Sequence, residues 1–259
     1  MKPETMLFAL MAMLGATHPA MQMPKGYVRH SSRRAIYPDN HGQRFFTIVG
    51  SRDKVPEDKL NQLYKYSVML LAMGFTGRSG CAPGSDHQLT KAALKFNTAT
   101  CELYLPWNDF EGFMDGHLLG NCLVTPAFDN YAEAKKIAET LHPAWNMLSN
   151  GARMLHTRNV YQVLGKDLNT PSELVLFAAP VDKYGSVKGG TATAVSLARR
   201  HGIPTFNMLK DEGLEEFETW FETWIENQGE WSKTHGRMLN ESVQSDNTGS
   251  GNHDRHDSE

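Results

Sequence analysis

The side chains of this chain best placed for chemistry cluster at three glycine-bearing turns. These are Gly50-Ser51-Arg52, then Arg78-Ser79-Gly80-Cys81-Ala82-Pro83-Gly84-Ser85-Asp86, then Gly189-Gly190-Thr191-Ala192-Thr193. Glycine lets backbone N–H groups come close to a phosphate, and a helix that starts at the turn offers its positive end to the same anion. Arg52 can grip a phosphate through two parallel hydrogen bonds. The expected nucleotide-binding residues are therefore Gly50, Ser51, Arg52, Arg78, Gly80, Gly84, Ser85, Asp86, Gly189, Gly190, Thr191 and Thr193. Asp86 either caps the helix that follows it or binds a ribose. Neither G-x-G-x-x-G nor G-x-x-x-x-G-K-[ST] occurs, which disfavours hydride transfer on a dinucleotide and P-loop ATP hydrolysis.

Other reactive residue types give less. Cys81, Cys101 and Cys122 are odd in number and form no C-x-x-C pair, so neither a disulfide framework nor a zinc site is expected. Cys81 reads as a small buried filler, His156 as a polar residue on a helix surface, and His253 and His256 as parts of a solvated tail. No metal and no cofactor are expected. The net charge of −3 rules out a global basic field, leaving any nucleic-acid contact to a local patch.

The elements that must position these turns follow from periodicity. Phe45 to Val49 is β-rich, Lys59 to Ala72 carries apolar residues at helical spacing, and Gly74-Phe75-Thr76 is a brief second strand before the long glycine loop. Asp86 to Phe96 is a helix and Thr100 to Leu105 a strand stopped by Pro106. Residues 107–121 lack a period and form an irregular excursion. Helices are expected over Tyr131–Leu141 and Ala152–Leu164, the second closed by Gly165, and the apolar run Leu174–Ala179 belongs in the centre of a sheet. A helix over Thr191–His201, a strand over Ile203–Asn207 and an acidic helix over Leu214–Ile225 complete the pattern. Alternating strands and helices predict an α/β parallel sheet covered on both faces.

Four regions follow: an N-terminal helix and arm over 1–43, a nucleotide-binding domain over 44–210, a C-terminal helix over 211–235 and a disordered tail over 236–259. The apolar stretch Met6 to Leu14 is too short to span a bilayer and has no small-residue cleavage site, so it reads as a packing or oligomer-forming helix in a cytoplasmic protein. Arg29, Arg33 and Arg34 lie close together in the arm, which is read first as a solvated connector and otherwise as a basic strap.

Val49-Gly50-Ser51-Arg52, the Arg78–Asp86 stretch, and Gly189-Gly190-Thr191 followed by Ala198-Arg199-Arg200-His201-Gly202-Ile203-Pro204 together resemble the SLOG superfamily. That Rossmann-like group includes the DprA and LOG proteins and nucleotide-sensing domains of some antiviral systems, and the likeness spans about Arg44 to Met208. Leu155-His156-Thr157-Arg158-Asn159-Val160-Tyr161-Gln162 is similar to DprA-like proteins of tailed bacteriophages, which implies the cytoplasm of a host.

LOG enzymes cleave the N-glycosidic bond of a nucleoside monophosphate with an Arg and a Glu. The resemblance makes Arg158 the counterpart of that Arg and the expected catalytic residue. Ala194 stands where the Glu is expected, and an alanine supplies no anion to an oxocarbenium-like transition state. Asp86, Asp109, Glu111 and Asp182 are the substitute carboxylates in reach of the turns.

Three functions follow. The first is binding of a nucleotide or nucleotide-sugar, ADP-ribose-like or a cyclic derivative, as sensor or sink. The second is N-glycosidase or phosphoribohydrolase-like action on a nucleotide. The third is DprA-like binding of single-stranded DNA by Arg29, Arg33, Arg34, Arg44, Arg52 and Arg78. The resemblance also implies a homo-oligomer, and no membrane partner is expected.

Overall fold

A computed structural model describes residues 43–96 and 101–224. Six strands, all parallel, make one sheet in the order β4-β3-β2-β1-β5-β6. They are β1 (Phe45–Gly50), β2 (Thr76–Ser79), β3 (Cys101–Leu105), β4 (Cys122–Val124), β5 (Leu174–Ala178) and β6 (Thr205–Asn207). The helices are α1 (Glu57–Ala72), α2 (Ser85–Phe96), α3 (Tyr131–Leu141), α4 (Asn150–Leu164) and α5 (Thr191–Arg200). The α/β Rossmann-like architecture expected from the sequence is the one observed.

Parallel strands need crossovers, and here the helices cover both faces of the sheet. On one face α1 and α2 pack together over β1 and β2, where Phe46, Ile48, Leu63, Leu70 and Leu89 are all buried. Leu, Ile or Phe buried this fully contributes about 1.5–3 kcal/mol each. The other face holds α3, α4 and α5 over a core of Val49, Tyr104, Val160, Val163, Val175, Phe177 and Val195. The alternation of β1 divides it between the two: Phe46 and Ile48 serve the first core, while the Thr47 hydroxyl donates to the Gln162 carbonyl of α4.

The strand order reverses at β1. The chain runs outward from β1 through β2 and β3 to β4, then returns to lay β5 on the other side of β1. The register Phe46↔Leu174 through Gly50↔Ala178 ends both strands level. The turns that leave them therefore open side by side at the carboxyl edge, where open α/β sheets bind ligands.

Several boundaries differ from the sequence expectation. Strand β2 is Thr76-Gly77-Arg78-Ser79, so Arg78 and Ser79, read as the start of a glycine turn, are ladder residues of a strand paired with β1 and β3. The excursion over 107–121 contains a single helical turn, His117–Gly120, and is followed by the unforeseen edge strand β4. The Ser149 side chain caps α4 by accepting from the Ala152 N–H, and Gly165, at φ 78°, ends that helix as expected.

Residues 211–224 are helical. From Glu215 the chain belongs to a second compact unit, whose described part stacks Phe217 on Phe221 and Phe221 on Trp224 with ring centroids 5.7 and 6.0 Å apart. The expected N-terminal helix and arm, with Arg29, Arg33 and Arg34, and the tail from 236 lie outside the described residues. Among the described residues no helix is long and apolar enough to cross a membrane.

Candidate functional site

A cavity of about 850 Å³ opens at the switch point, above the ends of β1 and β5. Of the residues expected to bind a nucleotide, Gly50, Ser51, Arg52, Asp86, Gly189, Gly190 and Thr191 line it, and so does Arg158. The first and third glycine turns thus meet in one place, with the start of α5 between them.

The second turn contributes through packing. Gly84 sits at φ 78°, and a Cβ there would run into the Ser51 and Arg52 backbone. Ser85 closes the same junction by donating from its hydroxyl to the Ser51 carbonyl at 3.2 Å. A Cβ on Gly80 would land on the Arg158 guanidinium. Gly80, Gly84 and Ser85 therefore shape the site from behind its wall.

Arg158 is the deepest cation of this cavity, 4% exposed. Its Nη1 donates to Asp86 Oδ2 at 3.3 Å, and its buried Nε has no hydrogen-bond partner. Burial pushes its proton affinity down, opposed by Asp86, while the neighbouring Arg52 adds repulsion. Asp86 lines the cavity beside Arg158. Its carboxylate accepts the backbone N–H groups of Gly50 and Gly80 and pairs with Arg158, tying the ends of β1 and β2 to α4; burial raises its pKa against the lowering effect of Arg158. Gln162 accepts from Arg158 Nη1 at 3.3 Å and donates to Asn159 Oδ1 at 2.9 Å. Asn159 in turn donates to the Gly190 carbonyl at 2.8 Å, fixing the third glycine turn to α4.

Sequence reasoning missed Asn159 and Gln162, although a signal was present. Leu155, Arg158, Asn159 and Gln162 follow the i, i+3, i+4, i+7 spacing of one helix face, and all four line the cavity. Trp107, Phe110 and Glu111, from the irregular excursion, were missed as binding residues for lack of any period. Phe110 lies under both guanidiniums, with Arg52 at 5.5 Å and Arg158 at 5.7 Å from its ring centroid, within cation–π range. Glu111 pairs with Arg52 at 3.1 Å. Lys54 and Lys188 add two more cations to the wall, and Asp53 one more carboxylate.

Two expected binding residues lie elsewhere. Arg78 is brought to the opposite end of the sheet, where it lines a second cavity of about 800 Å³. Its Nε donates to Glu102 at 2.7 Å, its Nη1 to the Thr170 carbonyl, and its guanidinium lies 3.6 Å from the Phe45 ring centroid. As a ladder residue opposite Thr47 it projects from the sheet instead of from a turn. Thr193 faces inward from α5, and its hydroxyl meets His156 Nδ1 at 2.6 Å. His156 is itself buried beside His142, ring centroids 4.7 Å apart, so it is not a helix-surface residue.

No family model matches the chain, and no curated protein does. Among solved structures it is similar to the Moco carrier protein of Chlamydomonas rheinhardtii, at 16% identity and a TM-score of 0.38 over 70% of this chain and 85% of that one. It is also similar to DNA processing protein A of Helicobacter pylori, described for its single-stranded DNA binding mode, at 15% identity and a TM-score of 0.41 over 71% of this chain and 81% of that one. These values carry no function across.

The cavity is equipped to hold an anion. Of the substitute carboxylates, Asp86 and Glu111 reach its wall, whereas Asp182 accepts the N–H groups of Tyr184 and Ser186 to shape its own turn. Ala194 is fully buried in the core with Val195 and Ala198 and does not face the cavity. Cys81 is buried, with its thiol pKa raised by a hydrogen bond with Cys122 and by desolvation, which suits a filler and not a nucleophile. Arg44 pairs with Glu173 and Arg78 with Glu102, both away from Arg52, so the described members of the expected basic groove do not line one surface.

Proposed function

We propose that this chain binds a nucleotide or nucleotide-sugar of the ADP-ribose-like class by its phosphates, in the cavity above β1 and β5, and holds it as a sensor or sink. One observation carries the reading: the buried Arg158 keeps an unpartnered Nε on a wall it shares with Gly189, Gly190 and Thr191 at the start of α5. A buried donor without a partner costs about 1–3 kcal/mol, and a phosphate oxygen is the acceptor that removes that cost. The helix dipole and glycine N–H groups favour the same anion. Trp107, half-buried on the wall, offers a flat face to a base.

Holding is favoured over cutting because the carboxylate beside Arg158 is engaged: Asp86 accepts from Gly50, Gly80 and Arg158. An N-glycosidase needs a free carboxylate at the sugar.

The test is calorimetric titration of the full chain with ADP-ribose, followed by analysis of the recovered ligand. One equivalent bound and recovered intact is expected, with Arg158→Lys weakening binding by about tenfold or more as the guanidinium fork is lost. Release of free base or ribose phosphate would favour the hydrolytic reading. Unchanged affinity in Arg158→Lys would remove Arg158 from the phosphate site.

A further inference from the structure

We propose that Glu111 is an internal competitor for the outer cation of the cavity, which holds down the affinity for ligands carrying a diphosphate and leaves that for a monophosphate unchanged. This rests on the nucleotide reading above and deepens it.

The two guanidiniums of the cavity face the same Phe110 ring from 5.5 and 5.7 Å, yet their ion pairs differ in kind. Arg158 and Asp86 have side chains only 5% exposed, and their pair is sealed. Arg52 and Glu111 are 44% and 35% exposed, so their pair is screened by water and weak. The inner pair is part of the framework, while the outer one can exchange its anion.

Glu111 is delivered to Arg52 by an unusual backbone. Asp109 at φ 63° and Glu111 at φ 52° are both left-handed without being glycine, and between them Phe110 is 3% exposed. Such conformations cost energy and persist where the surroundings impose them. Here they bury the ring under both guanidiniums while turning the next carboxylate back onto the rim. The Glu111 carboxylate thus occupies the place on Arg52 that an anionic ligand needs.

A single phosphate on Arg158 leaves the Glu111–Arg52 pair untouched. A second phosphate, one bridging oxygen further towards the rim, reaches Arg52 where Glu111 now sits and must displace it. Removing the carboxylate therefore helps a diphosphate and leaves a monophosphate indifferent.

The experiment is titration of the full chain, at fixed ionic strength, with inorganic phosphate, pyrophosphate and ADP-ribose. It compares wild type, Glu111→Gln and Glu139→Gln, the last removing an exposed carboxylate of α3 outside the cavity. Glu111→Gln should bind pyrophosphate and ADP-ribose about two- to fivefold tighter, the range of an exposed ion pair, with phosphate unchanged and Glu139→Gln like wild type. Equal tightening for phosphate, equal tightening in Glu139→Gln, or no tightening in Glu111→Gln would overturn the proposal. If no probe binds any of the three proteins, the nucleotide reading itself fails and this one falls with it.

Discussion

Gly80 has no side chain because the Arg158 guanidinium occupies that space. Gly80→Ala must move the guanidinium off Asp86, leaving a buried charge pair broken. We expect a loss of about 3–5 kcal/mol in urea unfolding together with loss of ligand binding, and a stability within 0.5 kcal/mol of wild type would contradict the packing described. His156 makes a second prediction. Burial, then His142 and Arg158, lower its pKa to about 4. The unfolded chain takes up this proton near pH 6.5, before the native state does. Stability from this residue is thus complete above that pH and is lost as pH falls towards 4, by up to about 3 kcal/mol. Unfolding of wild type and His156→Gln at a series of pH values should show this slope in wild type and its loss in the variant; parallel curves would refute it. The raised Asp86 pKa acts oppositely in both proteins, so the difference between them isolates His156. Asp86 stood out in the sequence as a charged group at a glycine turn and Arg158 through the resemblance to LOG enzymes, and both line the cavity. Arg78 was misplaced, because its Glu102 partner is 24 positions away in sequence and no local pattern announces it.

At the scale of elements, periodicity carried most of the fold. Helix α3 was legible to the residue, since its apolar and charged residues alternate at helical spacing from Tyr131 to Leu141. Strand β5, apolar on both faces, announced an interior strand, and it lies between β1 and the edge strand β6. Strand β2 did not, because Thr-Gly-Arg-Ser has the composition of a turn and is held in the ladder by neighbours on both sides. The three-residue β4 is too short to show a period. Helix α5 illustrates a limit of transferring a position by spacing alone. Ala194 sits three residues past Thr191, yet its side chain points into the core shared with α4 and not into the cavity. Ala194→Glu should therefore destabilise the protein by about 3 kcal/mol or more through an unpaired buried charge, without creating hydrolysis. Urea unfolding and an assay for released base check this; a stable variant that liberates base would show that position 194 reaches the ligand after all.

Across the domain that ends at Leu214, the sheet has two different ends. The carboxyl edge gathers Arg52, Lys54, Arg158 and Lys188 around a cavity with glycine-rich walls, while the amino edge places Arg78 and Lys166 among Glu102, Asp129 and Asp167. A net charge of −3 hides this local concentration of cations. It arises because the strand order reverses at β1, which sequence alternation implies only once the order of strands is known. If this edge holds a phosphate-bearing nucleotide without cutting it, the ligand must leave the protein intact. The most direct measurement is mass spectrometry of the small molecules released on denaturing the purified full-length chain after incubation with ADP-ribose and removal of free ligand. Close to one intact ADP-ribose per chain is expected, falling at least severalfold in Arg158→Lys; recovery of none from wild type, or of cleavage products in its place, would refute binding of an intact nucleotide at this edge.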